Sequence, residues 1–192
     1  MIRLGPLQTR RDALFVTLAA AAASVAARAE PTVQADAPTG DVHDFDYNIG
    51  VWTAVNRRLK KRWTADPQWE EFTGESRYAQ YLGGVVNIDE TVFPARGTAG
   101  LAVRVFDPGP RHWLIYWINN KGGDLGTPMV GGFTGDRGVF YGDDVDDGQP
   151  IKARYIRQRR PPDGDHWEQA FSKDGGVTWE TNWSADFTRV RG

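Results

Sequence analysis

The chain has 192 residues, 40% of them hydrophobic and 12% aromatic, with 8 Trp, 22 Gly, 11 Pro and no Cys. That length suits one domain, and the missing sulfur excludes a disulfide scaffold, a thiolate metal site, an iron–sulfur cluster and a cysteine nucleophile. With 23 basic and 25 acidic residues the net charge is −2, so no broad positive field exists to hold a nucleic acid by counterion release.

The first 29 residues carry the marks of a signal peptide. Arg3, Arg10 and Arg11 precede an uncharged run from Ala13 to Ala27, and Ala27-Arg28-Ala29 follows as a small-residue cleavage site. The run is too short to span a bilayer, which needs about 20 apolar residues, so no transmembrane anchor is expected. The pair Arg10-Arg11 ahead of an Ala-rich core resembles a twin-arginine export signal, which places the protein in the periplasm or outside the cell. Losing Arg3, Arg10, Arg11, Arg28 and Asp12 leaves 163 residues with 19 basic and 24 acidic groups, net −5. Residues 30–42, rich in Pro, Ala, Thr and Gly without apolar periodicity, are expected to form a flexible tether to a domain over 43–192.

From Ile49 onward, segments rich in Val, Ile, Thr, Tyr and Trp alternate with clusters of Gly, Pro, Asp and Asn. They predict strands at about 50–60, 69–80, 84–93, 99–107, 112–119, 129–134, 137–142, 151–158, 166–172 and 178–189. No stretch after the leader keeps a helical apolar period over three turns. The expected fold is all-β, an up-and-down antiparallel barrel of about 8–10 strands, because closure removes exposed edges. The turn Ser172-Lys173-Asp174-Gly175-Gly176-Val177-Thr178-Trp179 has the spacing of the Asp box of sialidase-like propellers, but it occurs once. It is expected to act as a hairpin clamp in which Asp174 binds turn amides and Trp179 folds over the hairpin.

Phe45-Asp46-Tyr47-Asn48-Ile49-Gly50-Val51-Trp52 resembles the opening of an uncharacterised bacterial family of lipocalin-like domains, in the calycin superfamily. Further runs similar to that family include Trp69-Glu70-Glu71-Phe72, Asn87-Ile88-Asp89-Glu90, Trp113-Leu114-Ile115-Tyr116-Trp117 and Asp186-Phe187-Thr188-Arg189, and the resemblance covers about 45–190. It implies that Gly50 and Trp52 sit at the closed end of the barrel with Arg189 stacked on the indole. It implies no established activity.

With Trp52 and Arg189 facing inward, a period of two puts Phe187, Ala185, Trp183, Thr181 and Trp179 inside and Glu180, Asn182 and Asp186 outside. The same logic favours Trp167, Gln169 and Phe171 inside with Glu168 outside, and Ile151, Ala153 and Tyr155 inside with Lys152, Arg154 and Arg157 outside. Trp113 to Ile118 is apolar on both faces, so sequence does not phase it; its outer side offers a surface for a loop, the tether or a second copy in a dimer. An interior rich in aromatics serves equally as packed core or as the wall of a small-ligand cavity. Arg104, Trp117, Tyr141, Tyr155, Trp167, Gln169 and Trp183 are the candidate ligand-binding residues, Arg104 having a salt-bridged alternative.

His43, His112 and His166 stand at no metal-ligand spacing from one another, and no metal or cofactor is implied. The acidic stretch Asp143 to Gly148 lacks the alternation of a calcium loop, and the basic run Arg57 to Arg62 is expected to form a solvated rim. Two functions follow: an exported barrel holding a small apolar or aromatic molecule, or an enzyme (isomerase, lyase or hydrolase) in which an inward Glu71 or Asp89 works with Tyr116 or Tyr141 on a small lipophilic substrate.

Overall fold

The computed structural model describes residues 37–190; the leader and most of the tether lie outside the described residues. Ten strands follow in chain order: β1 (Gly50–Leu59), β2 (Trp69–Tyr81), β3 (Val86–Phe93), β4 (Thr98–Asp107), β5 (His112–Asn119), β6 (Met129–Thr134), β7 (Arg137–Asp146), β8 (Gln149–Arg160), β9 (Gly164–Ser172) and β10 (Glu180–Arg189). Each pairs antiparallel with the next, and β10 returns to β1, so the sheet closes as an up-and-down barrel. No helix among the described residues is long and apolar enough to cross a membrane.

Strand β2 shows why the chain takes this form. Phe72, Gly74, Ser76 and Tyr78 are buried while Glu71, Thr73, Glu75 and Arg77 are exposed, the alternation of a strand with one wet face. On β5 the register with β4 sets Trp113, Ile115 and Trp117 on the face of Arg104 and Ala102, leaving Leu114, Tyr116 and Ile118 outside against Val105, Val103 and Leu101.

The lower end is closed by the segment leading into β1. Phe45 is 1% exposed and meets Trp113, Phe133 and Phe140 at ring distances of 4.9, 5.3 and 6.1 Å. Trp52, also 1% exposed, donates to the Asn48 carbonyl at 2.7 Å. The Arg189 guanidinium lies 4.3 Å over the Trp52 ring and donates to the carbonyls of Ile49, at 2.6 Å, and Tyr47. Gly50 has φ +121° and an added Cβ would come within 3.0 Å of Arg189, so this corner takes no side chain. Upstream, the Gly40 amide donates to the Arg111 carbonyl at 2.6 Å and the Trp113 indole to the Asp41 carbonyl at 3.0 Å, so contact with the barrel begins before His43.

At the upper end, residues 60–68 between β1 and β2 are latched to the opposite wall. Asp146 accepts from Arg62 and from the Trp63 indole at 2.7 Å, and Glu180 accepts from the Trp63 amide at 2.9 Å. In the β9–β10 turn Asp174 accepts from the amides of Val177 and Thr178, at 3.0 and 2.9 Å, and the Trp179 indole donates to the Gly176 carbonyl at 2.9 Å. Those bonds to its carboxylate hold Asp174 well below the usual carboxylate range.

The phase of β10 departs from a simple period of two. Thr181 pairs with Ala170 but Trp183 with Gln169, so Asn182 is an extra residue, a bulge that inverts the strand above it. Arg189, Phe187, Ala185 and Trp183 keep the inward phase. Above the bulge, Glu180 shares the side of the core residue Phe171, and Trp179 packs 6.0 Å from Tyr141 under Arg154, outside the barrel. Asn182, expected outside, is 2% exposed and accepts from Gln169 at 2.8 Å. Arg157, also expected outside, shares the inward face of Tyr155, two residues earlier on β8, and is buried.

Candidate functional site

The axis of the barrel holds a cavity of about 120 Å3. Its lower boundary is polar. Arg104, on β4, pairs with Asp89, on β3, at 2.5 Å and donates to Asn87 at 3.0 Å, while its guanidinium lies 5.0 Å from the Phe45 ring and 5.5 Å from that of Tyr78. Beside it Arg157 pairs with Asp165, which also accepts from the Tyr47 hydroxyl at 3.1 Å. Burial alone would lower the Arg157 pKa, but Asp165 and the neighbouring Tyr47 and Tyr78 outweigh it and keep the guanidinium charged. Burial also raises Tyr78, with Asp89 adding to the effect.

A directed chain of hydroxyls runs from this floor. Thr91 donates to Asp89 at 2.9 Å, so Ser76, 2.7 Å from Thr91, donates to it in turn. Above, the walls are aromatic. Tyr155 meets Trp167 edge to face at 5.3 Å, and Trp167 meets Trp183 at 5.7 Å. Trp183 is fixed by its indole, which donates to Asn56 at 3.0 Å, and closes with Phe72 and Phe93 into a cluster at 5.6–6.0 Å. Trp117 completes the wall from β5 and is 36% exposed. Its ring lies flat on Gly100 of β4, where an added Cβ would come within 2.1 Å of it. Strands β5 and β6 pair over only three residues, Trp113 to Ile115, so the part of β5 that carries Trp117 runs free of β6.

Of the residues proposed from sequence, Arg104, Trp117, Tyr155, Trp167, Gln169 and Trp183 all line this cavity. Tyr141 does not. It is in register with Arg154 on the outer face, where Trp179 covers it, because odd positions of β7 point away from the axis while Phe140 points in. The groups named for an enzyme are scattered for the same reason. Glu71 opposes Arg57 outside the barrel, Tyr116 opposes Val103 outside it, and only Asp89 faces in, already paired with Arg104. The tyrosine opposite Asp89 is Tyr78, which sequence reasoning did not single out. Arg157, Asn56 and Asp165 were also missed as interior groups, although a strict period of two from Tyr155 would have found Arg157.

His166, on the outside of β9, lies between Asp186 at 2.7 Å and Glu168 at 2.9 Å. Among the described residues no group of three or more His, Asp or Glu is arranged to hold a metal ion. A scan against models of protein families finds no match to this chain, and a search of curated proteins finds none.

Proposed function

We propose that the protein is an exported, lipocalin-like barrel that binds one small, largely apolar or aromatic molecule in its interior. The observation that carries this reading is the axial cavity of about 120 Å3, walled by Tyr155, Trp167, Trp183, Phe93 and Trp117. It is smaller than the roughly 300–1,000 Å3 sites that take drug-sized ligands and close to the engineered core cavity of about 150 Å3 that takes benzene. The occupant is therefore of single-ring size. Export is supported by the leader sequence, and kinship with lipocalin-like domains by the Gly50–Trp52–Arg189 corner.

Three of the wall residues are tryptophans, so occupancy changes their emission. Titration of toluene, cyclohexanone and benzyl alcohol against the mature chain is expected to give saturable change in tryptophan fluorescence and a raised melting temperature with at least one of them. Absence of both responses with all three, at millimolar concentrations, defeats this function.

A further inference from the structure

We infer that the occupant is a neutral ring compound bearing a carbonyl oxygen, and that Tyr155 and Trp167 donate to that oxygen; this rests on the cavity being a ligand site. The cavity pairs its charges internally and leaves neutral donors unpaired. Its charged groups are already used: Arg104 with Asp89, and Arg157 with Asp165. An ionic ligand would bring a charge into a low-dielectric space with no free counter-charge, at a cost of several kcal/mol. The hydroxyl protons of Ser76 and Thr91 are committed toward Asp89, and Asn56 accepts from Trp183.

Five donors of the lining residues have no hydrogen-bond partner among the described residues. The Asn56 amide N–H2 and the Arg157 Nε–H are sealed in, whereas the Tyr155 hydroxyl and the indole N–H groups of Trp167 and Trp117 are not. An indole N–H donates and cannot accept, and buried Tyr and Trp polar atoms ordinarily find a partner. Burial raises the Tyr155 pKa, so its hydroxyl keeps its proton. On the same wall the Gln169 amide gives one of its two N–H groups to Asn182, and its carbonyl is its only acceptor. Donors therefore exceed acceptors, and a ligand that presents an oxygen lone pair completes the wall. Tyr155 and Trp167 stand on neighbouring strands with ring centroids 5.3 Å apart, so both donors belong to one stretch of the cavity wall.

The test is calorimetric titration of the mature chain with acetophenone, toluene, benzoate and benzylamine, repeated on Tyr155→Phe. Acetophenone is expected to bind at least fivefold more tightly than toluene and the two ions, and Tyr155→Phe to remove about fivefold from acetophenone alone, the size of one net hydrogen bond. If Tyr155→Phe fails to fold, Trp167→Phe serves with the same readout. Toluene binding as well as acetophenone, or benzoate or benzylamine binding better, overturns this inference and leaves the ligand site standing. No binding by any of the four overturns both.

Discussion

The Arg157–Asp165 pair is the most demanding place to test the floor of the barrel. Asp165 is 1% exposed, and among the described residues its one charged partner is Arg157, joined by a hydroxyl from Tyr47. Replacing Arg157 by Met keeps a long side chain against Phe187, where the guanidinium lies 5.1 Å from the ring, and leaves a buried carboxylate with only neutral donors, the Tyr47 hydroxyl and the His166 amide. Removing one member of a buried pair costs about 3–5 kcal/mol. In a domain of this size that is a fall in melting temperature of roughly 10 °C.

Two further signatures separate this explanation from simple loss of packing. Burial already raises the Asp165 pKa against the opposing effect of Arg157, so without the guanidinium it rises further. A carboxyl whose folded pKa exceeds its unfolded value near 3.9 penalises folding above that value and ceases to do so below it. The deficit of Arg157→Met relative to the wild type is thus expected to be greatest at neutral pH and to shrink as the pH falls toward 4. The double variant Arg157→Met/Asp165→Leu removes the stranded charge and is expected to recover more than half of the loss in thermal and urea melts. A deficit independent of pH, together with strictly additive effects in the double variant, would refute the argument.

The strand count and the closed end were legible because their causes are local. Alternation along β2, the Gly50-Val51-Trp52 corner and the turn residues between strands each follow from a few neighbouring side chains. The bulge at Asn182 was not, since an extra residue shows only in the register against Ala170 and Gln169 of the neighbouring strand. Everything phased from Arg189 past that point came out inverted, which is how Trp179 moved from the interior to the cover of Tyr141. Arg157 failed for another reason: charge suggested an outward position, and the partner that makes an inward one tolerable, Asp165, lies on another strand. β5 could not be phased at all, because both faces are apolar and only pairing with Arg104 and Ala102 distinguishes them. A cavity is harder still, being the space that nineteen separately placed residues fail to fill.

Other perturbations probe the remaining parts. Trp52→Ala removes the ring beneath Arg189 and is expected to cost about 3–5 kcal/mol, the usual range for a large buried aromatic; an unchanged melt would remove Trp52 from its role in closing the barrel. Asp146→Asn loosens the latch on residues 60–68 by about 1.5 kcal/mol, the value of a hydrogen bond to a charged group. The Arg62 hydrogen bond holds the Asp146 pKa below its ordinary value. Its contribution is therefore complete above about pH 3.9 and lost as the pH falls through the lower folded value. Hydrogen exchange at Trp63 is expected to rise in this variant at neutral pH, and equal exchange in variant and wild type would show that the latch is not closed. The last perturbation asks whether the void exists to be occupied. A cavity of about 120 Å3 costs a core about 3 kcal/mol at the rate found for truncated leucines in another protein. The fixed ion pairs of the floor and the bonded Trp183 and Asn56 keep the walls from collapsing into it. Ala185, between Trp183 and Phe187 on the inward face of β10, borders the space. Ala185→Leu adds three carbons to it, worth about 2 kcal/mol if they enter an empty apolar volume. The variant is then expected to melt several degrees higher and to lose toluene binding in the same samples. Overpacking a filled interior instead costs about 1–3 kcal/mol, so a lower melting temperature with ligand binding intact would mean that the barrel axis is core and that any binding takes place elsewhere.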